Sequence, residues 1–128
     1  MILLDTCALI WWTLDPQELS EKAKEACSRI INDGAFISSI SIWEIGIKLK
    51  KRKLEISTSL EEYVDRLKQL GTVEIIAVDE VIWIKNLSLD WSHPDPADRT
   101  IVATAELMNV PIVTKDELIR NYYPHTIW

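Results

Sequence analysis

Four acidic residues stand at the edges of apolar elements. Asp5 follows Ile2-Leu3-Leu4, Glu44 interrupts an apolar helix, Asp98 opens another, and Asp116 follows Pro111-Ile112-Val113-Thr114. In an open α/β fold, residues at the carboxyl ends of parallel strands gather at one crevice. Carboxylates brought together there repel, by about 4 kcal/mol per close pair at an effective dielectric of about 20. A divalent cation relieves that repulsion. Magnesium takes oxygen ligands, a few carboxylates with several waters, and a metal so held activates water and offsets charge on a phosphodiester. The chemistry such a cluster points to is magnesium-dependent phosphodiester hydrolysis.

Each acid also has an ordinary structural use. Asp5 and Asp116 sit where an Asp caps a following helix. Ser41 and Glu44 have capping-box spacing, and Glu44 precedes Lys48 by one stabilising i+4 step. Asp95-Pro96 reads as a helix start, with Asp95 as the N-cap and the dipole favouring Asp98 in the first turn. Yet Asp98 shares a helical face with Ile101, Val102 and Ala105, a stripe that should meet the sheet. The two histidines, His93 and His125, fall in loop or terminal segments and are not expected to pair, which disfavours a histidine-driven, metal-free route.

The elements that would position these acids alternate. Strands are expected at Ile2–Leu4, Ala35–Ser38, Val73–Val78 and Pro111–Val113, with an edge strand at Thr126–Trp128. Their brevity and continuous apolarity fit a parallel sheet buried on both faces. Helices are expected at Ala8–Leu14, Ser20–Asn32, Ser41–Lys53, Ser59–Leu70, Val81–Leu87, Pro96–Met108 and Lys115–Asn121, with Gly34 and Gly71 as stops and Asp90 to Pro96 as a loop. The predicted class is α/β: a central, mostly parallel sheet of four to five strands flanked by helices in three layers, as one domain over residues 1–128.

Composition narrows the class further. With 48% hydrophobic and 27% charged residues the chain reads as an ordinary globular domain. No apolar run approaches the roughly 20 residues of a membrane span, so no membrane association is expected, and Cys7 and Cys27 fit a reducing cytoplasm better than a disulfide scaffold. The net charge of −6 argues against a protein that coats nucleic acid by bulk positive charge. It leaves room for a nuclease with a local basic strip, and Lys48, Lys51 and Arg52 follow Glu44 at i+4, i+7 and i+8 as a candidate track for phosphates. A helix C-terminus that simply favours cations explains the same residues. Six tryptophans are expected mostly in the core, with interface anchoring as the other use.

In order, Leu3-Leu4-Asp5-Thr6, Ser41-Ile42-Trp43-Glu44-Ile45, Asp95-Pro96-Ala97-Asp98-Arg99 and Val113-Thr114-Lys115-Asp116 resemble the PIN domain, specifically the VapC-type toxin ribonucleases of bacterial toxin–antitoxin pairs. The resemblance implies a PIN fold and metal-dependent endoribonuclease activity, with magnesium, or manganese in its place. It matches Asp5, Glu44, Asp98 and Asp116 to the family's acidic quartet, Asp5 and Asp98 being the principal metal ligands. Thr6 and Thr114 match hydroxyl positions that hold metal-bound water or phosphate, and Arg99 is placed to pair with an acid or touch phosphate. RNA as substrate, a homodimer and a cognate antitoxin with a basic or aromatic segment are implied as well. Cys7 stands where a polar residue is common, and Ala97 where a bulkier apolar one is. Competing classes are a catalytically silent PIN-like binding module and an Asp-based phosphate-transfer domain. The latter is disfavoured because a dehalogenase-type site wants a second Asp where Cys7 stands.

Overall fold

Continuous apolar strands need cover on both sides, and the chain supplies it. A computed structural model describes residues 1–128. Its strands are β1 (Ile2–Leu4), β2 (Ala35–Ser38), β3 (Val73–Ile76), β4 (Ile112–Val113) and β5 (Thr126–Ile127). They form one sheet in the order β3-β2-β1-β4-β5, and every neighbouring pair is parallel. The helices are α1 (Thr6–Leu14), α2 (Glu21–Ser28), α3 (Ile30–Asp33), α4 (Ser39–Lys50), α5 (Leu60–Gln69), α6 (Glu80–Ser88), α7 (Pro96–Met108) and α8 (Glu117–Tyr122).

Alternate residues of each strand point to opposite faces, and two apolar layers result. Leu4, Ile37 and Val113 pack beneath Leu9 of α1, Ala23 of α2 and Leu67 of α5. Leu3, Phe36 and Ile112 pack against Ile82 of α6, Ile101 of α7 and Ile119 of α8. The register pairs Leu4 with both Ile37 and Val113, so each layer runs straight across the three central strands. This is the expected three-layer α/β/α arrangement. β1 lies at the centre, with β2 and β3 to one side and β4 and β5 to the other. The crevice beyond the carboxyl ends of β1 and β4 is thus a topological switch point, where open α/β sheets place their ligands.

Three expectations need correction. The helix read over Ser20–Asn32 is two helices: the Arg29 N–H turns back to the Ala26 and Cys27 carbonyls, tightening the last turn of α2 and breaking the ladder. The helix read over Ser41–Lys53 begins earlier, with Ser38 as its cap through the Ile40 N–H, and ends at Lys50. Beyond it, Arg52 takes a left-handed conformation at φ 55°. The tryptophans are not in the buried core either. Trp43 and Trp83 are exposed, and Trp11, Trp12, Trp91 and Trp128 pack at the rims of the two layers. Short strands leave room for Leu, Ile and Val, while an indole at the rim keeps its N–H near water. No helix is long and apolar enough to cross a membrane.

Ile101, 1% exposed against the sheet, tests the layer that carries α7. Ile101→Ala should cost about 2–5 kcal/mol in urea unfolding; a loss below about 1 kcal/mol would mean that α7 is not seated as described.

Candidate metal centre

The carboxyl end of β1 delivers Asp5 directly into the N-terminus of α1. Its Oδ1 accepts from the Ala8 N–H at 2.8 Å, so it is the helix cap. The Thr114 hydroxyl, at the end of neighbouring β4, donates to Oδ2. Thr114 in turn accepts from the Asp116 N–H at 3.0 Å. Asp116 caps α8 through the Leu118 and Ile119 N–H groups. From the other side α4 brings Glu44, whose Oε1 accepts from the Thr6 hydroxyl. With that proton committed to Glu44, Ser41 donates to Thr6 across 2.9 Å. Asp98 lies in the first turn of α7.

These side chains meet in one cleft of about 270 Å³ lined by Asp5, Thr6, Cys7, Trp11, Glu44, Lys48, Asp98, Lys115 and Asp116. A larger cavity of about 370 Å³, between α1 and α5, is apolar and distant in character from this chemistry. All four predicted acids are therefore brought together. Burial pushes the Asp5 carboxyl up to about 6, against the pull of hydrogen bonds from Thr114 and Ala8, with the Asp98 and Asp116 charges adding to the rise. Burial likewise raises Glu44, opposed by the Thr6 bond, and Asp98, opposed by His93. Oxygen donors gathered where burial and neighbouring charge disfavour their ionised forms fit a hard divalent cation. Cys7 does not offer a rival chemistry. Desolvation against the cleft and the Asp5 charge push its thiol up to about 11, so it stays protonated.

Other expected roles are relocated. Ser41 and Glu44 do not form a capping box, because Ser38 caps α4 and leaves both within the helix. Thr6 and Thr114 donate their hydroxyl protons to Glu44 and Asp5 and so tether those carboxylates. Arg99 faces away from the cleft. Its Nε meets Asn86 Oδ1, one terminal nitrogen meets the Trp91 and His93 carbonyls, and the other meets those of Asn86 and Leu89. No guanidinium N–H remains for phosphate. Lys48 lines the acid cleft and also an adjoining groove with Trp43, Glu44, Ile47, Lys51 and Lys53. The turn after Lys50 takes Arg52 out of the helical face on which the i+8 spacing placed it.

Two residues escaped the sequence reading. Lys115 lines the cleft with its ammonium 5.9 Å from the Trp11 ring centroid; its place between Thr114 and Asp116 was the available signal. His93 sets Nε2 2.8 Å from Asp98 Oδ2, and only its proximity in sequence to Asp98 hinted at this. Ligand-type atoms of His93, Asp95 and Asp98 lie within 4.8 Å of one another. Asp95, however, spends Oδ1 on the Ala97 N–H as the cap of α7, and the trio is a hydrogen-bonded helix start beside the cleft.

The family match is to the PIN domain, over residues 2–123. This chain is a PIN domain. Ribonuclease VapC22 of Mycobacterium tuberculosis is 28% identical over 131 residues, covering 99% of this chain and 98% of that protein. Among solved structures, a toxin–antitoxin complex from Klebsiella pneumoniae superposes at TM-score 0.69 with 23% identity, covering 100% of this PIN domain and 97% of that chain. FitAcB from Neisseria gonorrhoeae superposes at 0.68 with 24% identity, covering 98% and 95%. These likenesses show that the fold carrying the cleft is the PIN fold.

Asp5 makes the cost of burying a carboxylate at this site measurable as stability. A carboxyl whose folded pKa of about 6 exceeds its ordinary 3.8 binds more protons folded than unfolded between those values, so stability falls as pH rises through that window. Asp5→Asn keeps the cap and removes the charge. In chelator at pH 8 it should be more stable than wild type by about 1–3 kcal/mol, the gain vanishing below about pH 4. Equal stability at both pH values would show that the carboxylate is not strained.

Proposed function

We propose that this PIN domain is a magnesium-dependent endoribonuclease acting as the toxin of a toxin–antitoxin pair. The observation that carries the reading is the convergence of Asp5, Glu44, Asp98 and Asp116 on one cleft flanked by Lys48 and Lys115. Asp5 and Asp98 hold the cation, and Glu44 and Asp116 complete the acidic ring. When bound, the cation supplies Lewis acidity and charge neutralisation at the phosphodiester; manganese serves in place of magnesium. Lys48 and Lys115 face the phosphate's negative charge, and the groove with Lys51 and Lys53 continues that path along the RNA backbone. Cys7, its thiol pushed up to about 11, stays protonated and offers no thiolate nucleophile in the cleft, which favours direct attack by water.

The similarity to a protein named ribonuclease VapC22 supports RNA as the substrate class. A structural neighbour titled as a toxin–antitoxin complex supports an antitoxin partner. An acidic cleft gives that partner a physical handle, because an inserted Lys or Arg replaces the cation's charge. Val81, Ile84 and Leu87, exposed on α6, offer apolar surface to a second copy in a homodimer.

Purified protein should cleave RNA with magnesium and leave 5′-phosphate and 3′-hydroxyl ends. Chelator should abolish cleavage, and Asp5→Asn should lower it by at least about 100-fold, beyond the upper range for residues that merely orient a ligand. Because that variant is expected to be the more stable protein, its loss would not be unfolding. Cleavage that survives chelator, or ends in cyclic phosphates, would refute the proposal.

A further inference from the structure

Asp98 is held differently from the other carboxylates of the cleft. Asp5 and Asp116 are fixed by helical N–H groups, and Glu44 by a hydroxyl from α1. Those tethers come from helices, and a second one onto Asp5 comes from Thr114 just past β4. At the start of α7 the Ala97 N–H is taken by Asp95, which caps the helix. The hydrogen bond to Asp98 comes from His93, at 2.8 Å onto Oδ2. His93 belongs to an irregular stretch, residues 89–95, between α6 and α7.

An irregular loop is ordinarily a mobile place for a positioning group. This one is fixed from two sides. The Arg99 guanidinium binds the carbonyls of Leu89, Trp91 and His93 along its length. The Trp91 ring lies between Tyr122, stacked at 4.7 Å and 10°, and His93, at 4.8 Å and 45°. Asn86, which shares Arg99, is anchored to Thr100 Oγ1 of α7 at 3.0 Å. The first turn of α7 therefore holds its own upstream loop, and the loop returns an imidazole to Asp98.

We propose that His93 is a positioning residue for the metal centre: its Nε2–H fixes Asp98 Oδ2, leaving Oδ1 free for the cation. This rests on the nuclease reading above. A carboxylate free to rotate loses conformational freedom when it ligates, whereas one already held does not. Groups that orient a ligand in this way are worth about 10–100-fold in metal affinity.

The test is direct manganese binding to RNA-free protein, followed by electron paramagnetic resonance of free Mn²⁺, for wild type, Asp98→Asn, His93→Phe and His93→Gln. Phenylalanine keeps a ring against Trp91 without a donor; glutamine restores an N–H near the Nε2 position. His93→Phe should weaken binding about 10-fold, with melting in chelator close to wild type, and His93→Gln should recover most of the loss. Wild-type affinity in His93→Phe overturns the proposal. Equal loss in both variants also overturns it, by making His93 itself a ligand. If wild type binds no manganese, the nuclease reading falls and takes this inference with it. Independently of any variant's folding, ¹⁵N spectra of the metal-free wild type should show His93 protonated at Nε2; a ring protonated only at Nδ1 contradicts the donor role.

Discussion

Burial of carboxylates, made costlier by their mutual repulsion, is the constraint around which the upper edge of this sheet is built. Asp5, Glu44, Asp98 and Asp116 line a cleft of about 270 Å³, where pairs of like charges cost several kcal/mol unless neutralised. The fold does not relieve this by spreading them apart. It ties each to a donor, flanks them with Lys48 and Lys115, and leaves the carboxyls of Asp5, Glu44 and Asp98 above their ordinary range. Fixed anionic oxygens with an unmet demand for positive charge are what a divalent cation, or a partner's basic side chain, would satisfy.

Capping and site-building turn out to be one device. Asp5 and Asp116 are helix caps and cleft residues at once. An N-cap carboxylate is immobilised by backbone N–H groups at low entropic cost. Placing strand-to-helix junctions at a topological switch point thus yields rigid acids without dedicated supports. The threonines extend the principle: Thr114 links Asp5 to the Asp116 backbone, and Thr6 links Glu44 to Ser41.

The acids were legible in the sequence because a charge beside an apolar run violates the pattern that buries the run. The parallel sheet was legible for a related reason, since strands such as Ile2–Leu4 show no polar alternation. What sequence could not separate were roles with identical spacing. Ser41 and Glu44 have the offset of a capping box, yet Ser38 begins the helix and turns the pair into a hydrogen-bonded relay through Thr6. Arg99 next to Asp98 looked like a phosphate contact, but helical geometry points neighbouring residues in different directions, and Arg99 meets the loop carbonyls. His93 was hidden because its place depends on how an irregular, proline-bearing loop folds back, which no periodicity encodes. The basic run after Lys48 was misplaced at Arg52 because the helix stops at Lys50.

The position of a cation shared by these carboxylates is directly observable. Crystals soaked in manganese, with anomalous scattering recorded near the manganese edge, would locate the ion without reference to activity. The expected result is a peak inside the cleft, bounded by the carboxylates of Asp5 and Asp98. A peak confined to His93, Asp95 and Asp98 outside it, or none at saturating manganese, would contradict it.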